Sequence, residues 1–341
     1  MPEIVRHSPT AQAAYHDLVS ILLDDTLADI RGALAARERN GRRYWYDRYR
    51  IGRHIHERYL GEDSPEIRAR LEKHRSLKET SAARKTERAR LVRLLRSERF
   101  LGMDGATGSL VAALARTGAF RLGGVLVGTN AFRLYEGELG LRLKLDQLAM
   151  TNDIDIASFE KLSFAIGETV LPSIDEALAE LDFEPAPSLE RQKIWRWRQA
   201  RSETLVEFLT PSFGEEEPLR ELPALGVSAQ SLHFLNYLIA EPLHAAAVYR
   251  DGILVRIPRP ERFAIHKLIV ADRRRDGPDS LKARKDLAQA ELLVTALAQD
   301  RPTDLDEAYR DAMSRGPRWR QRIERSLKRS PRTAALLESV E

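Results

Sequence analysis

The chain has 341 residues, of which 43% are hydrophobic and 31% charged, with a formal net charge of +4 at pH 7 and no cysteine. The absence of cysteine excludes disulfides, thiolate zinc sites and a thiol nucleophile. No apolar run reaches the roughly 18 to 20 residues that span a bilayer, and the N-terminus lacks the apolar centre of a signal peptide. We therefore predict a globular cytoplasmic protein with no membrane contact. Its mild basic excess permits a polyanionic partner.

Residues 1–100 are predicted to form an α-helical domain, because Leu and Ile recur at helical spacing. Ser64 followed by Pro65 indicates a helix start. Between the helices, segment 40–61 mixes aromatic and basic side chains, namely Tyr44, Trp45, Tyr46, Tyr49, Tyr59, Arg42, Arg43, Arg48, Arg50 and Arg53. These side chains either stack on bases and pair with phosphates, or belong to an amphipathic helix whose aromatics face the core.

Residues 101–259 alternate short strands, glycine turns and helices, which predicts an α+β core. We expect a helix ending near Gly118, a buried strand over RLGGVLVGT, a helix over NAFRLYEGEL and a strand over AMTNDIDIAS. A helix follows over ETVLPSIDEALAELDF. KIWRWRQ and ETLVEFLTP are predicted to pair as antiparallel strands. Trp195 and Trp197 then either pack beneath a helix or form a stacking platform.

The rest of the chain is predicted to contain a hairpin and then a helical C-terminal domain. AAAVYRDGILVRIP is typical of a β-hairpin, with Asp251 and Gly252 as a two-residue turn. Residues 260–341 return to helical spacing, so we predict domains over 1–100, 101–259 and 260–341. The expected fold is a mixed sheet flanked by helices, with helical N-terminal and C-terminal regions.

Two aspartates lie one residue apart in TNDIDIA, residues 151–157. Side chains alternate along a strand, so Asp153 and Asp155 project to one face and Ile154 and Ile156 to the other. Two carboxylates about 6 to 7 Å apart repel each other unless a cation lies between them. Mg²⁺ suits oxygen ligands and leaves positions open for phosphate. The alternative is an exposed strand face that binds nothing.

Two neighbouring motifs favour the metal interpretation. Glu207 is a single carboxylate in the apolar strand LVEFLTP, and it would join the aspartates if the two strands are adjacent. Upstream, a strand ends in Gly128, Thr129 and Asn130 and opens a helix, which offers backbone N–H groups and a hydroxyl to a phosphate. A phosphate turn with three carboxylates describes a site for metal-dependent nucleotidyl transfer.

GTNAF, TNDIDIA and VEFLTP resemble the Gly-Ser/Thr turn, the Asp-x-Asp strand and the later acidic strand of the polymerase β-like nucleotidyltransferase superfamily. With IPRPERFAIHKLIVADRR and KARKDLAQA, the chain is similar to a bacterial branch known simply as nucleotidyltransferase-fold proteins. The resemblance runs from about residue 45 to about residue 300 and is strongest between residues 123 and 290. It implies a mixed sheet flanked by helices, Mg²⁺ or Mn²⁺, and an NTP substrate such as ATP.

The resemblance also assigns residues. For the triphosphate they are Gly128, Thr129, Asn130 and Lys267, and for the metal and catalysis they are Asp153, Asp155 and Glu207. Glu207 would also favour deprotonation of the acceptor hydroxyl. Lys267 is otherwise an ordinary surface lysine of a helix, and Arg273, Lys282 and Lys285 are further candidates for phosphate contact. Two departures from the family pattern are the glutamate in place of a third aspartate and a long gap before Asp153, for which ELGLRLKLDQLAM is the expected insert.

The function predicted from these motifs is transfer of a nucleoside monophosphate from an NTP to a hydroxyl. The acceptor is open between RNA such as a tRNA end, a protein and a small molecule. By analogy with toxins in the superfamily, we also predict a toxin or defence role. The alternative from another class is a non-catalytic module that binds nucleotides or nucleic acid and retains the fold.

Overall fold

The computed structural model describes residues 4–26, 33–51, 54–143, 151, 153–187, 190, 193–200, 202–276 and 280–340. Its helices are α1 (Pro9–Thr26), α2 (Pro65–Glu79), α3 (Ser81–Ser97), α4 (Gly105–Thr117), α5 (Gly128–Leu139), α6 (Glu160–Ala165), α7 (Ile174–Ala179), α8 (Leu235–Leu238), α9 (Pro260–Arg273), α10 (Ser280–Asp300), α11 (Pro302–Ser314), α12 (Pro317–Leu327) and α13 (Pro331–Val340). Its strands are β1 (Ala33–Arg39), β2 (Arg42–Ile51), β3 (His54–Glu62), β4 (Val125–Val127), β5 (Ile154–Ala157), β6 (Phe183–Pro185), β7 (Arg196–Gln199), β8 (Leu205–Pro211), β9 (Leu219–Leu222), β10 (Val227–Leu232), β11 (Leu243–Ala247) and β12 (Ile253–Ile257).

The central sheet is mixed and has seven strands. Its main order is β4-β5-β8-β10-β9, and β7 pairs with β8 and carries β6 on its other edge. β5 and β10 run parallel to β8, while β4 runs antiparallel to β5. The helices flank this sheet, and α9 packs against α10, α11 and α12. The α+β prediction, with helical N-terminal and C-terminal regions, is therefore confirmed.

Strand alternation divides the two central strands as predicted from the sequence. Ile154 and Ile156 of β5 are buried, as are Val206 and Phe208 of β8. These side chains belong to the main hydrophobic core, which anchors both strands from one face. The carboxylates between them therefore project from the opposite face.

The predicted helix ending near Gly118 and the predicted antiparallel pair of β7 and β8 are confirmed. Asp104 caps α4 through Thr107 N, and Gly118 ends the helix in a left-handed conformation. Trp197 of β7 is buried, lies edge-on to Phe208 and donates Nε1–H to Asp175 of α7 at 3.0 Å. It packs beneath a helix and is not part of a stacking platform.

The prediction of an entirely helical N-terminal region is wrong over residues 33–51 and 54–62. These residues form the antiparallel sheet β1-β2-β3, whose first turn is Asn40-Gly41 with φ of 52° and 73°. An Asn-Gly pair with positive φ is the strongest short signal for a two-residue hairpin, and Tyr, Trp and Ile favour strands. The amphipathic-helix interpretation of segment 40–61 is therefore wrong. The helices on either side are as predicted, and Ser64 Oγ accepts from Ile67 N at the start of α2.

The small sheet buries one face against α2. Trp45 packs with Leu34 and Ile67 around the buried Leu60 and Leu71. Tyr59 contacts both Tyr44 and Tyr46 on the sheet and is 55% exposed. Arg53, another member of the predicted aromatic and basic set, lies outside the described residues.

Two further predictions about elements need correction. The hairpin of β11 and β12 has a five-residue loop, with positive φ at Arg250 and Gly252 and not at Asp251. The Asp251 carboxylate instead accepts from Arg88 of α3 at 2.7 Å. The helix predicted over residues 168–183 is shorter, because a capping box at Ser173 starts α7 only after Pro172.

The N-terminal helices share a core with this hairpin. Tyr15 and Leu18 of α1 and Leu91 of α3 pack in one buried cluster with Ala246 and Val248. Division of the chain at residues 100 and 259 stays a prediction. The expected insert is only partly described: Leu141 bridges to Arg6, and residues 144–150 lie outside the described part of the chain. No helix in the described part is long and apolar enough to cross a membrane.

Candidate functional site

Three adjacent strands bring the site together at one end of the central sheet. In the hydrogen-bonded register, Asp155 of β5 lies between Val127 of β4 and Glu207 of β8. Asp155 and Glu207 are therefore side by side, although they are 52 positions apart in the sequence. Since opposed residues of paired strands project to the same face, the two carboxylates share one surface.

Gly128 begins α5 directly after Val127 and lies against Asp155. Its φ is +66°, and a Cβ at this position would be 2.5 Å from Asp155 Oδ2. Only glycine therefore fits both the backbone conformation and the distance to the carboxylate. The close approach also directs the first turn of α5, with its unpaired N–H groups, toward the carboxylates.

Asn130 in that turn connects α5 to the start of β5. It is buried, and its Nδ2 donates to the carbonyl of Asp153 at 2.7 Å. Its Oδ1 has no hydrogen-bond partner among the described residues, and Asn130 is not among those that line the site cavity. The described geometry gives Asn130 a positioning role, and its predicted contact with a nucleotide stays a prediction.

The carboxylates are held where their charged forms repel one another. Burial, followed by the charges of Glu207 and Asp153, raises the pKa of Asp155 to about 7 against the opposing effects of Lys267 and Arg274. Burial, followed by the charge of Asp153, also raises the pKa of Glu207. The cluster therefore carries negative charge that the folded chain alone does not fully neutralise.

A buried ion-pair network faces the carboxylates from α9 and α10. Lys267 Nζ donates to Asp286 Oδ1 at 2.5 Å, and Arg274 donates to Asp286 Oδ2 at 2.8 Å. Lys267 is 7% exposed and lies 5.1 Å from the centre of the Phe263 ring. The interpretation of Lys267 as an ordinary surface lysine is therefore wrong.

A cavity of about 640 Å³ joins these groups. Its lining includes the predicted Gly128, Thr129, Asp153, Asp155, Lys267, Lys282 and Lys285. Glu207 is not among the described residues that line the cavity, but it projects from the same face of β8 as Leu205 and Leu209, which do. Burial, followed by the charge of Lys267, lowers the pKa of Lys285. Asp153 and Asp155 therefore line a cavity that also contains ammonium and guanidinium groups, with the Asp286 carboxylate between Lys267 and Arg274.

Helix geometry separates two adjacent arginines. Arg274 is seven residues from Lys267 and shares its face of α9, whereas Arg273 points to a neighbouring cavity and pairs with Glu217. The expectation that Arg273 would contact the same phosphate group as Lys267 is not supported by this placement. Arg274 and Asp286 were not predicted from the sequence. The seven-residue spacing from Lys267 identifies Arg274, whereas no local signal identifies Asp286.

The carboxylates of the site are potential ligands for a metal ion. Asp153, Asp155 and Glu207 offer hard oxygen atoms, and their mutual repulsion would be relieved by a cation. However, the described residues contain no group of three or more His, Cys, Asp or Glu side chains close enough to hold a metal by themselves. The carboxylates thus fit a partial ligand set, of the kind that Mg²⁺ completes with water and substrate phosphates.

Comparisons with known proteins identify the family of the chain. A family model described as nucleotidyltransferase matches residues 105–314, and a model described as a domain of unknown function matches residues 15–69. A search of curated proteins found no match. A crystal structure of an antigenic nucleotidyltransferase-like protein from Paracoccidioides brasiliensis is similar with 12% identity and a TM-score of 0.34, over 70% of this chain and 95% of that one. Because the first model spans more than half of the chain and contains the carboxylate site, the chain belongs to the nucleotidyltransferase family.

Proposed function

We propose that the chain transfers a nucleoside monophosphate from an NTP to a hydroxyl group and depends on Mg²⁺ or Mn²⁺. The observation that carries the proposal is the arrangement around Asp155, which has Glu207 beside it, Gly128 against it and Lys267 across the cavity. Oxygen ligands, a phosphate-binding turn and a facing cation are the parts that nucleotidyl transfer needs. The family supports a nucleotide substrate in general terms.

In the proposed reaction the acceptor oxygen attacks the α-phosphorus of the NTP. A new O–P bond forms, the bond from the α-phosphorus to its bridging oxygen breaks, pyrophosphate leaves and the hydroxyl proton is released. The N–H groups at Gly128 and Thr129 bind the triphosphate, and Lys267 and Arg274 offset the negative charge that develops on pyrophosphate. Asp153, Asp155 and Glu207 would hold the metal, which when bound polarises the phosphoryl oxygens.

The test follows two radioactive labels in the same NTP. Purified protein is incubated with Mg²⁺ or Mn²⁺ and total RNA or cell lysate, with each NTP labelled at either the α- or the γ-phosphate. We expect label to reach the acceptor only from the α-position, and EDTA to abolish the transfer. Transfer from the γ-position would indicate a kinase and contradict the proposal. NTP binding with no transfer to any acceptor would favour the non-catalytic module.

Metal binding is predicted to stabilise the fold through the carboxylates. With a non-hydrolysable NTP analogue present, 5 mM Mn²⁺ is expected to raise the Tm of the wild type by about 2–4 °C. The shift should be lost in Glu207→Gln, because the carboxylate next to Asp155 is removed. Glu184→Gln, an exposed residue of β6 in the same sheet, is the matched control and should retain the shift. Differential scanning fluorimetry at constant ionic strength measures the Tm of the wild type and of the two variants. An equal shift in all three proteins would contradict the proposed metal site.

The proposed function leads to further predictions about the biological role. A toxin or defence role, a bacterial origin and membership of the polymerase β-like superfamily stay predictions from the resemblance. The label-transfer experiment addresses the acceptor directly, because RNA, protein and small-molecule products separate after nuclease and protease digestion.

A further inference from the structure

A second cavity, of about 540 Å³, lies near the site cavity. It is formed where the chain leaves β8 and β10 and where α12 begins. We call it the arginine groove and define it by Arg273, Arg315, Arg318, Arg322, Phe234 and Trp319.

The arginine groove is continuous with the carboxylate site. An intermediate cavity of about 310 Å³ shares Leu232, Val270 and Arg274 with the site cavity. The same intermediate cavity shares Phe234 and Arg273 with the arginine groove. The three adjoining cavities therefore form a row along the end of β10 and the side of α9, from the carboxylates to the start of α12. We call this row the path.

The charge along this path changes sharply. Carboxylates line the site cavity, but no acidic residue is among the described residues that line the intermediate cavity or the arginine groove. Burial lowers the pKa of His266 to about 3, so this imidazole adds no charge. The guanidinium groups of the path are the four arginines of the groove and Arg274, which is paired with Asp286.

Three of the groove arginines have acidic partners that are not among the described residues lining the groove. Glu217 pairs with Arg273 at 3.2 Å. Asp272, which is 5% exposed, pairs with Arg322 at 3.1 Å and also receives Arg275 and Arg325. Asp311 pairs with Arg315 at 2.8 Å. The single Asp272 carboxylate is outnumbered by its three guanidinium groups, of which Arg322 lines the groove, and Arg318 is exposed.

Aromatic rings lie among the cations. Phe234 and Trp319 meet edge to face at 4.7 Å, and the Arg322 guanidinium lies 5.7 Å from the centre of the Phe234 ring. Phe213, which also lines the groove, is 74% exposed. Guanidinium groups for phosphates and aromatic faces for bases are the two elements of a single-stranded nucleic-acid site.

We propose that the acceptor is a single-stranded nucleic acid whose chain lies in the arginine groove and whose terminal hydroxyl reaches the carboxylate site. This inference rests on the proposed function for the fate of that hydroxyl, but not for the binding itself. A small acceptor would fill the site cavity and would not need an acid-free path leading away from it. The phosphates pair with the arginines, and a base stacks against Phe213 or Trp319.

Binding can be measured without any reaction. Fluorescence anisotropy follows a labelled 12-nucleotide single-stranded RNA, and separately a DNA of the same sequence, with no NTP and no metal. Arg318→Glu is expected to weaken binding at least 10-fold, and Phe213→Ser about 5-fold or more. Arg320→Glu is the matched control, since Arg320 is an exposed arginine of the same helix that does not line the groove, and its Kd should stay within 2-fold of wild type.

Activity then separates the two proposals. In the label-transfer assay, Arg318→Glu should raise the KM for the oligonucleotide acceptor while the KM for NTP stays unchanged. Binding of RNA or DNA that depends on Arg318 without transfer from any NTP would support the groove and overturn the proposed function. Efficient transfer to a protein or a small molecule, unaffected by Arg318→Glu, would overturn the nucleic-acid acceptor. So would preferential binding of an acidic peptide, or equal Kd values for Arg318→Glu and Arg320→Glu.

Discussion

Replacement of Asp155 by asparagine is expected to lower the rate of nucleotidyl transfer about 1,000-fold or more, with the fold intact. Asp155 is the carboxylate that lies between the phosphate turn and Glu207, so its loss removes the central oxygen ligand. Metal stabilisation of phosphoryl charge contributes several kcal/mol, and each 1.36 kcal/mol corresponds to about tenfold in rate. Single-turnover transfer of the α-label measures the effect.

Stability distinguishes a chemical effect from unfolding. Burial and the neighbouring acids raise the pKa of Asp155 to about 7, so its charged form is disfavoured in the folded protein. A raised carboxyl pKa means that stability falls as the pH increases through the interval between the unfolded and folded pKa values. The neutral asparagine should therefore leave the metal-free Tm at pH 8 unchanged or higher. Glu184→Gln should leave both rate and Tm unchanged. Full activity of Asp155→Asn would refute the assigned site.

Replacement of Gly128 by alanine is expected to lower both stability and transfer. A residue with a side chain is strained at φ +66°, and its Cβ would be 2.5 Å from Asp155 Oδ2. The backbone conformation costs about 1–2 kcal/mol and the overpacking about 1–3 kcal/mol. Displacement of Asp155 by about 1 Å should reduce the rate about 100-fold. Chemical denaturation and the label-transfer rate measure the two effects.

Gly167 offers a matched control for the backbone contribution. Its φ is also +66°, but an added Cβ would meet no atom within 4 Å. Gly167→Ala should therefore show the backbone effect alone and retain activity. In an Asp155→Ala background, the destabilisation by Gly128→Ala should fall toward that of Gly167→Ala, because the clashing oxygen is absent. Equal destabilisation by Gly128→Ala with and without the Asp155 carboxylate would contradict the close contact.

The local pattern of the sequence was sufficient for much of the site. A period of two in TNDIDIA separates Asp155 from Ile154 and Ile156, and the buried isoleucines confirm that separation. The turn at Gly128 was predicted from a strand, a glycine and a helix in succession. The Asn40-Gly41 pair is an equally local signal for a hairpin. The prediction for residues 1–100 did not include it, because the helical spacing on both sides favours helix.

Contacts between distant segments were decided by tertiary structure. The sequence alone determined which carboxylates face away from the core, since alternation along a strand follows from backbone geometry. The register that sets Asp155 beside Glu207, the burial of Lys267 against Asp286 and the path to the arginine groove required the folded chain. Register and helix docking depend on the packing of segments that are far apart in sequence, and no local period encodes that packing.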